Sequence, residues 1–291
     1  MDGAKNLSVV VPIRSATPMS LNIRRLARLL GQIPRELEVV VVDDGSAKAA
    51  ARMTERVVGR FPGARYIYLP TRWKRFSLAR ARNAGLRHAA RDVVLFHDVD
   101  FLAPSQKYRK IAKCAEDMEL GCHRERFFCV PVAFLTREGS ERFLRRFPAE
   151  PMECSRFDKK NEDVKFLVLG SSALVANREH LLSIGGYNES FSGHGAEDFE
   201  LLHRLSTIYP APEGRPPDYT LNTGSGWVEE YRGFRAYFAL YGKECLQKDV
   251  CLVHLFHPPR KGFGYYRHSR NFRLLKKIME NDAHRLPDPR P

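Results

Sequence analysis

Four clusters of acids and histidines carry the chemistry this sequence can do. The first is Asp98-Val99-Asp100, which follows His97 and the apolar run Val93–Phe96. A buried strand cannot hold two unpaired carboxylates, because desolvating the ionised forms is costly. The pair therefore belongs at the strand's carboxyl end, where open α/β sheets place their ligands. Two hard oxygen donors one residue apart can hold a divalent cation, and such a cation can grip a diphosphate. Asp43-Asp44-Gly45-Ser46 closes a second apolar run, Glu38–Val42, in the same abrupt way. Gly193 and Gly195 free the backbone ahead of Glu197 and Asp198. That pair opens a helix, where the dipole alone already favours acids. His254 interrupts the apolar run Cys251–Phe256 and His257 follows it. Two histidines beside a loop gain weight in a chain with a candidate cation site.

The elements that must position these groups alternate in type. Leu7–Ile13 reads as a first strand with Pro12 near its end, where a missing N–H does little harm. Ile23, Leu26, Leu29 and Leu30 recur at helical spacing before Gly31. After Glu38–Val42 come a helix over 47–60, a break at Pro62-Gly63, a strand over Arg65–Leu69 and an Ala/Leu/Arg-rich helix over 76–90. That helix delivers the chain to the strand ending before Asp98. Strands alternating with helices predict a mostly parallel, Rossmann-like sheet flanked by helices. No GxGxxG follows the first strand and no GxxxxGK[ST] occurs, so dinucleotide-binding and P-loop readings lose their main support. Further on, Phe127–Leu135 and the 166–177 stretch each read as one strand. The segment from Glu138 to Asp163 reads as charged, irregular and exposed, and Arg178–Ile184 as a short helix.

At 291 residues, 43% hydrophobic and 11% aromatic, the chain can bury a substantial core and is not disordered in composition. No apolar run approaches the roughly 20 residues of a spanning helix, and the N-terminus lacks the shape of a signal peptide. The cysteines Cys114, Cys122, Cys129, Cys154, Cys245 and Cys251 form no CxxC pair. They read as reduced thiols of a cytoplasmic protein, with neither a zinc site nor a disulfide framework. The net charge is +14, concentrated in two runs without acids, Thr71–Arg91 and Arg260–Lys277. Such runs attract polyanions: nucleic acid, anionic lipid headgroups or an acidic glycan. A basic nucleic-acid-binding protein, with Trp73, Tyr265 and Tyr266 as stacking residues, is thus an alternative reading. It lacks any recognition motif, so no specific nucleic-acid partner is expected.

Taken together, VVVPIR, VVVVDDGS, LARARNAGLRHA, FHDVD and GGYNESFSGHGAEDFELLHRL resemble, in order and spacing, the family 2 glycosyltransferases of GT-A fold. The last segment is similar to the acceptor-side segment of galactosyltransferases, N-acetylgalactosaminyltransferases and bacterial capsule polymerases. The resemblance covers roughly residues 7–100 and 166–257. It implies a nucleotide-sugar-binding half over 1–120, an acceptor-binding and catalytic half of the same domain over 121–260, and a basic C-terminal helix and tail over 261–291.

Residue by residue, the resemblance places Pro12, Arg14, Asp43, Asp44, Arg82, Asn83 and Asp98 at the nucleotide of a UDP-sugar donor. Asp98 and Asp100 become the DxD metal acids, with His254 or His257 completing a Mn²⁺ or Mg²⁺ site. Asp198, beside Glu197, becomes the general base of an inverting transfer. Gly193, His194, Gly195 and Trp227 become the acceptor wall, with His194 standing where many relatives carry Trp. The acceptor implied is a glycan or a lipid-linked sugar, with surface polysaccharide as the product. The enzyme would be cytoplasmic, with an anionic membrane surface as one peripheral contact. A non-catalytic nucleotide- or sugar-binding relative is the remaining alternative.

Overall fold

A computed structural model describes residues 6–170, 172–224, 226–259 and 268–283. Strands β1 (Leu7–Ile13) and β2 (Glu38–Asp43) are buried at every position, as apolar runs without alternation require. Between them α1 (Leu21–Leu30) starts at Ser20, whose side chain accepts from the Ile23 N–H, and stops at Gly31. Helix α2 (Lys48–Val58), strand β3 (Ala64–Tyr68), helix α3 (Leu78–His88) and strand β4 (Val93–Phe96) follow. Strands β3, β2, β1 and β4 pair in parallel in that order. Helix α3 lies so close on the sheet that a Cβ at Gly85 would meet Val10 at 2.2 Å. Only glycine allows that approach.

The rest of the chain builds a second sheet against the first. In order come β5 (Phe101–Leu102), α4 (Ser105–Asp117), β6 (Phe127–Cys129), β7 (Val132–Leu135), α5 (Arg137–Arg146), β8 (Val164–Val168) and β9 (Leu174–Asn177). Then follow α6 (Arg178–Ser183), α7 (Glu197–Ile208), α8 (Gly233–Ala239), α9 (Lys243–Gln247), β10 (Leu252–His254) and α10 (His268–Ala283). The first sheet continues from β4 through antiparallel β9 and β6, and the second runs β5-β10-β7-β8. Strand β10 sets His254 opposite Phe101 on one side and Phe134 on the other. This carries a histidine from late in the chain to the residues just past Asp100. Among the described residues no helix is long and apolar enough to cross a membrane.

Three expectations are corrected here. Phe127–Leu135 and 166–177 are each two strands, not one, and each divides between the two sheets. The crossings lie together, with the Val130 N–H donating to the Ala173 carbonyl at 2.8 Å, and Pro131 has no N–H with which to continue a ladder. The charged stretch after Glu138 opens as helix α5, capped by the Thr136 side chain. Finally, Cys154 and Cys251 form a disulfide, while Cys114, Cys122, Cys129 and Cys245 are free thiols. These two partners lie 97 residues apart, so spacing alone could not pair them.

Candidate active site

The carboxyl ends of β1 and β4 open onto a cleft of about 630 Å³. Pro12, Arg14, Asp98, Asp100, Asp198 and His254 are among its walls. One buried cation organises the acids around it. Arg82, in α3, has no exposed surface and lies over the Tyr187 ring at 5.1 Å. Its Nη2 donates to Asp98 Oδ1 at 2.8 Å and its Nη1 to Glu197 Oε1 at 3.2 Å. The other oxygen of Asp98 accepts from Ser172 Oγ at 2.9 Å. Burial alone would raise the Asp98 pKa, but Arg82 and Ser172 hold it below the usual carboxylate value.

Asp98 and Asp100 have different partners. The Phe101 N–H donates to the Asp98 carbonyl at 3.0 Å, closing a turn right after β4, so the two side chains diverge. Asp98 goes to Arg82. Asp100 joins His254 and His257, whose ligand atoms together with its own lie within 4.8 Å of one another. Both histidines stand in this group, and Asp98 is outside it. Burial lowers the His254 pKa to about 4, so its imidazole is neutral at neutral pH, the form that ligates a metal. Arg25 of α1 pairs with Asp100 Oδ1, while His257 Nε2 stands 3.5 Å from Asp100 Oδ2. Arg25 also reaches the Phe256 carbonyl, tying Asp100 to the segment that carries His257. One carboxylate and two imidazoles make a donor set suited to a divalent transition ion such as Mn²⁺, and less to Mg²⁺, which prefers oxygen alone.

Helix α7 presents the third acid cluster. Gly195 has φ +118°, and a Cβ there would press on the His268 ring at 3.1 Å. Its N–H donates to Glu197 Oε2 at 2.9 Å. With Arg82 on the other oxygen, Glu197 is fully engaged and 3% exposed, so the pair splits as the first one did. Both oxygens of Glu197 are thus held by partners within the protein. Asp198 remains in the cleft wall, where Oδ1 accepts from the Phe199 N–H at 3.0 Å. Burial, then the neighbouring Glu197 charge, pushes its pKa up to about 6. A carboxylate with that value is ionised at neutral pH and basic enough to take a proton.

Several expected residues lie off the cleft. Asp43 is buried, accepting from the Ser46 N–H at 2.7 Å and Tyr66 OH at 2.8 Å, and burial raises its pKa. Asp44 is spent on Thr71, the Ser77 N–H and both oxygens' contacts with Arg80. Asp44 thereby pins the loop over 71–77, and Asp43 ties the turn at Ser46 to Tyr66. Asn83 is likewise internal, exchanging hydrogen bonds with Tyr187 at 2.7 and 2.8 Å. Trp227 packs against the core and Gly193 donates to the Phe76 carbonyl, so neither lines the cleft, whereas His194 and Gly195 do. Arg14 clips the same loop through the Arg72 and Lys74 carbonyls. The basic run over 71–91 also shrinks as a surface, because Arg80 and Arg82 are used internally. Trp73 is 90% exposed beneath Arg72, while Tyr265, Tyr266 and the first basic residues of the later run, 260–267, lie outside the described residues.

Arg25, Ser172 and Arg235 are site residues that sequence reasoning missed. Arg25 sits at a buried position of an otherwise apolar helix face, which is the one signal that could have found it. Residues 8–277 match the family described as glycosyltransferase-like family 2.

The chain belongs to that family.

A Mycobacterium tuberculosis protein named as a glycosyltransferase is 32% identical over 189 residues, covering 62% of this chain and 52% of the relative. Validoxylamine A glucosyltransferase of Streptomyces hygroscopicus subsp. limoneus is 26% identical over 219 residues, covering 68% of this chain and 47% of the relative. The chain thus spans about half the length of these curated relatives. The mannosyltransferase PcManGT from Pyrobaculum calidifontis, solved in complex with GDP-Man and Mn²⁺, superposes with a TM-score of 0.51 at 20% identity. That match covers 98% of this chain and 66% of the other, and the shared fold is GT-A.

Proposed function

We propose that this glycosyltransferase-family chain catalyses metal-dependent, inverting transfer from a UDP-sugar of the galactose, N-acetylgalactosamine or N-acetylglucosamine type. The acceptor is a glycan or lipid-linked sugar, and the product a surface polysaccharide. One observation carries the reading: a metal-type donor set, Asp100, His254 and His257, shares its cleft with a carboxylate of raised pKa, Asp198. A divalent cation held by those three would neutralise charge as it develops on the departing diphosphate. Asp198 takes the proton of the acceptor hydroxyl, a contribution on the order of 10²–10⁴-fold. Attack from the face opposite the leaving group inverts the anomeric centre. Arg82 holds Asp98 and Glu197 so that Asp198 keeps its place, while Pro12, Arg14 and Asp98 form the donor wall. In this reading residues 1–120 bind the donor, and 121–260 supply the base, the acceptor wall and two metal ligands. The exposed cations Arg72, Lys74, Arg75, Arg87 and Arg91 suit a peripheral seat on an anionic membrane. Failure to sediment with anionic vesicles at physiological salt would count against that seat.

Thermal unfolding against UDP, GDP, CMP and ADP, each with and without Mn²⁺, tests the donor and metal together. A ligand at about 100 times its Kd stabilises the native state by roughly 2.7 kcal/mol. The expected result is a UDP shift that needs Mn²⁺ and vanishes in Asp100→Ala. A shift with a different nucleotide moves the donor class, and no shift with any of them overturns the reading.

A further inference from the structure

We infer that the acceptor sugar carries an oxyanion, a carboxylate or a phosphate or sulfate ester, and that Arg235 receives it. This rests on the transferase reading above and adds the class of acceptor.

Arg235, on α8, lines the same cleft as Asp198. Its guanidinium carbon lies 4.6 Å from the centre of the Phe199 ring, 5.7 Å from Phe234 and 5.8 Å from Phe272. Its Nε donates to Asn222 Oδ1 at 2.7 Å. Three rings and one amide thus fix the plane of the guanidinium. Its two Nη groups make no hydrogen bond or ion pair among the described residues. A guanidinium has five donors and no acceptor. Held by its Nε edge, it keeps a two-pronged face for a planar carboxylate or a tetrahedral ester.

The ring that Arg235 covers most closely, Phe199 at 4.6 Å, belongs to the residue that follows Asp198 on α7. That sets Arg235 beside the proposed base, so the oxyanion is assigned to the acceptor that this base serves. The surroundings agree. The cleft continues into a second hollow of about 490 Å³, sharing Asn222, Ser269 and Phe272 with it. Arg273 on its rim is exposed and has no partner among the described residues. Lys276 also lines it, 3.7 Å from Glu280, and Asp218 is the one acid in its wall. A second cation one step beyond Arg235 suits an acceptor with more than one acidic unit.

The test uses matched methyl glycosides that differ only in the oxyanion: glucose and glucuronate, galactose and galacturonate, N-acetylglucosamine and its 6-phosphate and 6-sulfate. Binding to the full chain is titrated by isothermal calorimetry with UDP and Mn²⁺ present. At least one anionic member should bind about tenfold or more tighter than its neutral twin, the scale of a charge-assisted hydrogen-bond pair. Arg235→Gln should abolish that preference and Arg235→Lys should keep part of it. The carboxylate and ester arms identify which oxyanion is taken. The inference is overturned by a wild-type protein with no preference in any pair, by a preference that survives Arg235→Gln, or by a variant that weakens UDP instead of the sugar. Should Arg235→Gln fail to fold, the wild-type preference must still weaken as salt is raised. A salt-independent preference refutes the idea. If UDP itself shows no metal-dependent binding, the transferase reading fails instead, which separates the two failures.

Discussion

Replacing Asp198 by Asn should make the protein inactive and more stable at once. The ordinary carboxylate pKa of 3.8 is raised here to about 6, chiefly by burial and then by the Glu197 charge. A group whose folded pKa is raised in this way penalises the folded state when ionised. The penalty is full above pH 6, shrinks as pH falls, and is gone below 3.8, where both states are protonated. At 1.36 kcal/mol per unit the gap amounts to about 3 kcal/mol, an upper bound because solvent reaches part of the side chain. Asp198→Asn should recover about 1–3 kcal/mol in urea unfolding at pH 7 and almost none at pH 4. Catalysis follows the opposite sign, since the base works only when deprotonated. Wild-type kcat/KM for UDP release should fall about tenfold from pH 7 to pH 5, whereas a carboxylate with the ordinary pKa would leave that range nearly flat. Turnover of the Asn variant should drop by about 10²–10⁴-fold. A flat acid limb to pH 5, together with a variant no more stable than wild type, would refute the argument from burial.

Three further outcomes follow from particular contacts. Arg82→Met leaves Asp98 and Glu197 without their shared cation and should cost about 3–5 kcal/mol in urea unfolding, so a loss under about 1 kcal/mol would show that these acids find other partners. Arg25→Met frees Asp100 from its orienting contact and should weaken Mn²⁺ binding about 10–100-fold by titration, with little change in the affinity for metal-free UDP. Alkylation of the unreduced, denatured chain should modify Cys114, Cys122, Cys129 and Cys245 and spare Cys154 and Cys251, and labelling of all six cysteines would exclude the disulfide.

Strands β1, β2 and β4 were legible because each is a nearly unbroken apolar run buried along its whole length, and burial on both faces leaves no other pattern. A change of sheet leaves no such mark. Phe127–Leu135 is apolar throughout, yet its two halves pair with different partners on either side of Pro131. Helix α5 was hidden for the opposite reason. Its buried positions are Gly139 and Ser140, with Phe143 and Leu144 beside them on the core, so its apolar stripe is too short to reveal a helix. At the site, the acids and histidines could be found by type, but their partners could not. Arg25 and Asp100 lie 75 residues apart and Arg82 and Glu197 lie 115 apart, and nothing local in either segment records the meeting.

The acids show what a motif leaves undecided. Asp98-x-Asp100 and Glu197-Asp198 each read as two carboxylates acting together, and the fold divides both pairs with the same guanidinium. The first acid of each pair goes to Arg82, and the second goes to the metal-type trio or stands alone in the cleft. Electrostatics gives a reason. Two like charges 4 Å apart repel by about 4 kcal/mol at an effective dielectric of 20. A cleft lined by four unpaired carboxylates would repel a diphosphate donor several times over. Sharing a buried arginine between two of them removes one unit of negative charge and fixes both acids, which leaves Asp100, paired with Arg25, to help hold a cation and Asp198, with raised pKa, to accept a proton. On this argument Arg82 serves the site without touching either substrate, and its loss should raise the KM for the nucleotide sugar as well as lower stability. An Arg82→Lys variant, which restores the charge but cannot bridge two carboxylates through separate Nη groups, should recover part of the stability and little of the donor affinity. Equal recovery of both would mean that charge alone, and not the bridge, is what the site requires.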